Sequence, residues 1–308
     1  MTSDTLQEQA GRRHHYGEFY GLRPLPPDDG RPLLVVHGNC QAESLRVLLA
    51  GTDIVRSVRI PAVHELEPDD LPHLQRTLSA TQVLVTQPVR ADYRDLPVGT
   101  EQAVALLPQG ARVIRFPVVR YAGLFPFQAI VRAPGVGDPP VVPYHDLRTL
   151  VEAATGVRPA PAAAPAAYRQ IEADSIAELA RREAEHDTLV ASDLLRAAGA
   201  EAAHTINHPG NRVLRGIAER VLARLGHPSA IADPGRTLLD SVHAPLAADV
   251  LDALDLPGPA REHWVVGGED VEDARVREEQ LRWYAAHEQV VTAGLERHRD
   301  ALAVLGLA

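Results

Sequence analysis

The chain of 308 residues carries a single cysteine, so any thiol chemistry it performs rests on Cys40. That residue lies in the stretch Leu33-Leu-Val-Val-His-Gly-Asn-Cys-Gln-Ala-Glu-Ser-Leu-Arg-Val-Leu-Leu49. Leu33 to Val36 is an apolar, β-branched run of the kind buried on both faces of a sheet. After Gln41 the apolar residues Ala42, Leu45, Leu48 and Leu49 follow helical spacing. Gly38 and Asn39 occupy the break, where a tight turn needs a permissive backbone. Cys40 is therefore expected at the end of a strand and the mouth of a helix. The unpaired N–H groups of a helix start carry partial positive charge. A thiol there is expected to ionise more readily than usual. The N–H groups of Cys40 and Gln41 could hold an oxyanion, with the amides of Asn39 and Gln41 donating in the same direction. The competing reading is a small buried hydrophobe, the common fate of a free cysteine.

A nucleophilic thiol needs a base, and there are fourteen histidines to supply one. His208 is distinguished by its setting. Ala202-Ala-His-Thr-Ile-Asn-His208 reads as a strand, and Pro209 opens a helix whose stripe is Val213, Leu214, Ile217, Val221, Leu222 and Leu225. Such positions line the carboxyl ends of strands, where α/β sheets bind ligands. The positive helix end favours a neutral imidazole, as a general base requires. A cysteine and a histidine are the minimum set for acyl transfer through a thioester. His37, His64, His145 and His204 are rivals, and His14-His15 reads as a solvated feature. No Cys/His spacing resembles a zinc motif, so no metal is expected.

The elements that must position these groups follow in order. Asp53 to Ile60 reads as a second strand and Leu66 to Leu78 as a helix interrupted near its start by Pro68 and Pro72. Gln82 to Thr86 is a third strand, Leu96 to Leu107 helical in part, and Ala111 to Phe116 a fourth strand closed by Pro117. This alternation predicts a parallel sheet covered by helices. Beyond it come an aromatic loop at Tyr121 to Phe127 and Pro139-Pro-Val-Val-Pro-Tyr-His-Asp146. An Ala/Pro stretch from Arg158 to Ala167 reads as a solvated spacer. A helix is expected from Ser175, as N-cap of a capping box with Glu178, to Ala184. Another short one follows from Ser192-Asp193 to near Gly199, and the chain turns helical from Ala274. Residues 1–30 read as an N-terminal extension holding a Pro-rich linker, and 31–308 as a single α/β domain with an Ala/Pro insertion near 157–168.

Composition bounds the rest. The hydrophobic fraction of 45% describes a globular chain with a substantial core. A net charge of −10 argues against a nucleic-acid partner. No apolar run reaches the ~20 residues of a membrane span. Met1 to Glu8 lacks the basic and apolar regions of a signal peptide, and a lone cysteine forms no internal disulfide, so the cytoplasm is the expected compartment.

Gly38-Asn-Cys-Gln41 after an apolar strand resembles the opening motif of the WcbI family of polysaccharide biosynthesis enzymes. Thr86-Gln-Pro-Val-Arg-Ala-Asp-Tyr93 looks like that family's Gln-containing strand end. Phe116-Pro with Tyr121-Ala-Gly-Leu-Phe-Pro126 looks like its Gly/aromatic/Pro loop, and Pro143-Tyr-His-Asp146 its Tyr-x-Asp stretch. Arg182-Glu183, Asp187 and Ser192-Asp193 match the segment before Asn207-His-Pro209, the second signature. The resemblance spans roughly residues 32 to 290, weakly after 230. It implies a three-layer α/β/α fold similar to the SGNH hydrolases and to flavodoxin, with a helical C-terminal portion and cysteine in the place of the hydrolases' serine. It also implies a coenzyme A-dependent acyltransferase acting on a hydroxyl or amine of a glycan or small molecule. Cys40 would attack the acyl-coenzyme A thioester with His208 as base. Gly38, Asn39, Gln41, Gln87 and Asn207 would orient groups or hold the oxyanion, and Asp187 or Asp193 would orient His208. Arg115, Arg120 and Arg182 would meet phosphates. Tyr121, Phe125 and Phe127 would wall the pantetheine or acceptor pocket, or pack the core. A cysteine hydrolase of esters, thioesters or amides is the alternative, and a non-catalytic coenzyme A- or glycan-binding module the third reading.

Overall fold

In the computed structural model, residues 10–160 and 162–308 are described. Met1 to Glu8, on which the signal-peptide reading rests, lie outside the described residues. The chain forms two compact units: residues 1–118, 180–191 and 214–237 make the first, and 119–179, 192–213 and 238–308 the second.

The first unit is built on a parallel sheet of four strands in the order β2-β1-β3-β4. These are β1 (Leu33–His37), β2 (Arg56–Val58), β3 (Val83–Thr86) and β4 (Arg112–Arg115). All five residues of β1 are buried, as the uninterrupted apolar run predicts for a strand covered on both faces. Between the strands lie α1 (Cys40–Ala50), α2 (Leu71–Ser79) and α3 (Thr100–Val104). The two prolines start α2 rather than break it. Pro68 opens a 3-10 turn and Pro72 sits in the first helical turn, where a missing N–H costs nothing. Leu33, Val35, Val58, Leu74, Leu78 and Leu84 share one core. The polar segment ahead of β1 contributes to it: Phe19 and Tyr20 are buried there, and Arg12 pairs with Asp70 at 2.8 Å.

The second unit holds three small antiparallel sheets. They pair β5 (Gln128–Ala129) with β6 (His145–Asp146), and β7 (Ala203–Thr205) with β8 (His208–Pro209). The third runs β11-β10-β9, from Glu269–Glu272, His263–Val266 and Val242–His243. Its helices include α4 (Leu147–Thr155), α6 (Ser192–Ala198), α8 (Ala248–Ala253), α9 (Asp273–Tyr284), α10 (Glu288–Arg297) and α11 (Arg299–Val304). Phe127, Leu147, Leu150, Tyr168, Val250 and Tyr284 are central to its core. The chain passes between units within α5 (Pro165–Glu185) and α7 (Asn211–Leu225).

Three sequence expectations are corrected. The spacer reading does not extend past Ala164, because α5 begins at Pro165; proline is favoured at a first helical position and alanine propagates a helix well. Ser175 lies inside α5 rather than capping it, and its hydroxyl accepts the Ala122 N–H at 3.0 Å. The segment before α7 is a bulged turn between two short strands, not one strand, and α7 begins at Asn211 rather than Pro209.

Candidate functional site

Cys40 stands where β1 gives way to α1. Asn39 is the N-cap, with extended backbone and its side-chain oxygen accepting the Gln41 N–H at 2.9 Å. This is the preferred cap for a helix start. It also engages the Gln41 N–H, one of the two donors expected to face an oxyanion. The turn is held from β3 as well. Gln87 follows the last residue of that strand, and its Oε1 accepts the Asn39 N–H at 2.8 Å. Its Nε2 donates to Gln41 Oε1 at 3.1 Å and to the Pro117 carbonyl at 3.4 Å. Gln41 and Gln87 are both buried, so these amides orient the turn. Gly38 leaves room for that brace: a Cβ there would stand 2.4 Å from Gln87 Oε1. His37, one of the rival histidines, is fully buried, with Nδ1 3.2 Å from the Thr86 hydroxyl.

The thiol of Cys40 is free and half-buried. Burial raises its pKa, while the N–H groups of Cys40 and Gln41 pull the other way, and the net direction is upward. The expected readily ionised thiol is thus corrected: desolvation outweighs the helix start. At neutral pH the sulfur keeps its proton unless a base removes it.

His208 is in β8 of the second unit. Burial, with His243 second, pushes its imidazole down to about 4, so it is neutral at pH 7. Its surroundings form a small polar lattice. Tyr144 donates its hydroxyl to Asn207 Oδ1 at 2.9 Å, and the Thr205 hydroxyl donates to Tyr144 at 2.9 Å. The Tyr144 ring meets His208 edge-on at 6.3 Å. Asn207 thus anchors the turn that carries His208. Gly210 permits that turn, since a Cβ there would lie 2.1 Å from the Glu201 carbonyl oxygen. His204 packs on His243 at 4.3 Å between ring centroids, and His243 pairs with Asp240 at 2.6 Å.

The remaining candidates fall in varied places. His208 Nδ1 is buried with no hydrogen-bond partner among the described residues, so neither proposed aspartate holds it there. Asp193 is exposed on α6, and Asp187 is exposed in the first unit with φ of 47°. Arg115 pairs with Glu101 at 2.7 Å, and Arg182 donates to the Val118 carbonyl at 3.3 Å. Arg120 is exposed. Tyr121 is 1% exposed and donates its hydroxyl to Glu172, which leaves almost no surface for a cofactor. Its aromatic character marked packing. Among the described residues no group of three His, Cys, Asp or Glu is placed to hold a metal, and no helix is long and apolar enough to cross a membrane. In sequence Tyr144 is only part of the Pro143-Tyr-His-Asp146 motif, because a hydroxyl bonded to residues as remote as Thr205 and Asn207 has no local pattern.

Fold and turn together define an α/β protein that presents its one thiol at the carboxyl end of a central parallel strand. The chain belongs to the WcbI family: the profile described as polysaccharide biosynthesis enzyme WcbI matches residues 33–230. It is also similar to a solved structure of WcbI, a novel polysaccharide biosynthesis enzyme, described as native protein without a disulfide bond between coenzyme A and a cysteine. Identity is 20%, the match covers 90% of this chain and 99% of that one, and the TM-score is 0.74. No curated protein matches the chain.

Proposed function

We propose that this chain transfers an acyl group from acyl-coenzyme A to a hydroxyl or amine acceptor, in the cytoplasm, with Cys40 as nucleophile and His208 as base. The observation that carries the reading is the braced turn around Cys40. Four residues, Gly38, Asn39, Gln41 and Gln87, fix a half-buried thiol at a helix start. A merely structural cysteine would not need such a support. The coenzyme A named with the solved relative supports the donor.

The charge states set the order of events. A thiol pushed up and an imidazole pushed down are both neutral at rest. The Sγ–C bond to the thioester carbonyl therefore forms as the thiol proton passes to His208. The tetrahedral oxyanion rests on the Cys40 N–H, because the Gln41 N–H is engaged by Asn39. The C–S bond to coenzyme A breaks, and the departing sulfur takes the proton from His208. The acceptor hydroxyl then attacks acyl-Cys40, His208 takes its proton, and the Cys40 sulfur leaves and is reprotonated. One thioester is exchanged for another in the first half, so cysteine suits this donor.

The test is release of free coenzyme A thiol from acetyl-coenzyme A, with and without methyl glycosides as acceptors. Acceptor-dependent release with acetylated glycoside as product supports transfer. Release at one rate regardless of acceptor makes the chain a hydrolase. No release, with retained coenzyme A binding, makes it a binding module.

A further inference from the structure

The second unit contains an open cleft whose usable volume is about 90 Å3. Its apolar lining includes Leu124, Phe125, Phe127, Ala244, Pro245 and Val250. Trp264, Gln128, Arg148 and Asp273 also line it. Most of this surface is apolar, and the polar exceptions carry the information.

Gln128 is 9% exposed. Its Oε1 accepts the Ile206 N–H at 2.6 Å, which fixes which end of the amide is oxygen. Its Nε2 is buried and has no acceptor among the described residues. A buried donor without an acceptor is costly to keep, so such a group points to a ligand atom. Asp273 offers the opposite. One of its oxygens accepts the Trp264 Nε1–H at 2.9 Å, and the other takes no hydrogen bond from a described residue. The charge of Arg148 is already met by Asp146 at 2.6 Å, and its guanidinium lies over the Phe127 ring at 4.2 Å. His145 is engaged with the Tyr284 hydroxyl at 2.6 Å.

Among the described side chains that line the cleft, Gln128 thus holds a buried donor without an acceptor and Asp273 an oxygen without a donor, beside apolar residues and a cation already neutralised. A carboxylate ligand would meet Asp146 and Asp273, and an ester would leave the second Asp273 oxygen without a donor. We propose that this cleft binds a secondary amide bearing a small apolar substituent. The amide carbonyl accepts from Gln128 Nε2, its N–H donates to Asp273, and the alkyl end packs against Phe125 and Phe127. Two sources offer this chemistry: the pantetheine arm of coenzyme A and an N-acylated amino sugar. The inference does not depend on the Cys40 reaction, and it is read without turnover.

The experiment uses the full chain with Trp283→Phe, which leaves Trp264 as its one indole. Pantetheine and methyl N-acetylglucosaminide are titrated separately against Trp264 fluorescence. At least one is expected to change the emission saturably, and the responding probe identifies the source. Replacing the responding amide by its ester analogue is expected to weaken binding by about tenfold, the worth of one buried hydrogen bond. Ala247→Phe, at the exposed rim, is expected to weaken it at least as much with the melting temperature unchanged. Gln128→Glu retains the acceptor for Ile206, removes the donor, and is expected to abolish binding. Saturation by neither probe, equal binding of amide and ester, or undiminished binding by Ala247→Phe would each overturn the proposal.

Discussion

Gln87 accepts the backbone N–H of Asn39 at 2.8 Å, so the end of β3 holds the turn by which β1 presents Cys40. The relationship joins adjacent parallel strands, in register from Leu34 with Val83 to His37 with Thr86. Gln87→Leu keeps the bulk but strips both the acceptor and the donors from a buried position. It is expected to cost about 1–3 kcal/mol in chemical denaturation and to lower the rate of acyl transfer. Gly38→Ala drives a Cβ into the same brace and is expected to act alike. Wild-type stability and turnover in both variants would remove the brace from the account.

The thiol of Cys40 is raised above its ordinary range, first by burial. Iodoacetamide should therefore alkylate the native chain more slowly at pH 8 than the urea-unfolded chain. The pH midpoint of native alkylation should also lie above that of the unfolded thiol. Faster native reaction with a midpoint below pH 8 would mean that the helix start dominates after all.

Four histidines, His37 and His145 buried and His204 and His208 half-buried, are each pushed down to about 4, first by desolvation. Unfolded, each takes its proton near pH 6.5; folded, each refuses it until about 4. The unfolded state therefore binds more protons in that window, and stability falls as pH drops from 6.5 towards 4. Above 6.5 the contribution is complete. Each histidine adds at most about 1.4 kcal/mol per pH unit to the slope. Denaturation midpoints between pH 7.5 and 5 check this, and a flat profile would contradict the buried, neutral assignments.

Tyr144 joins Thr205, Asn207 and the edge of His208. Tyr144→Phe keeps the ring and removes the hydroxyl, and is expected to cost about 1 kcal/mol. As a positioning change it should lower kcat more than it alters KM and shift the His208 ring resonances. A stability loss with kcat and those resonances unmoved would make Tyr144 structural only.

The sequence revealed the Cys40 turn because its determinants are contiguous: an apolar run, a glycine, a capping asparagine and a helical stripe. The parallel sheet was legible in part for the same reason: β1 and β3 are local apolar runs between turn residues, while β2 and β4 mix arginine and serine with apolar residues and show through the alternation of strands and helices. What escaped is non-local. Nothing near Gln87 announces that its amide braces Asn39, and nothing near Gln128 or Trp264 announces a shared cleft. The two-residue strands β5, β6, β8 and β9 are too short for any periodicity to register. Ser175 is ambiguous in sequence because a helix-interior serine and an N-cap serine look alike until the chain before them is seen to be helical. The Ala/Pro stretch misled in the other direction, its composition masking the start of α5 at Pro165.

The central claim is that Cys40 carries the acyl group, and intact-mass analysis after brief exposure to acetyl-coenzyme A tests it most directly. The account predicts one acetyl group on the chain, mapped by peptide analysis to Cys40, absent from Cys40→Ala and formed more slowly in His208→Ala, which lacks the base that takes the thiol proton. An unmodified Cys40 under conditions where coenzyme A thiol is released, or the same adduct on Cys40→Ala, would contradict it.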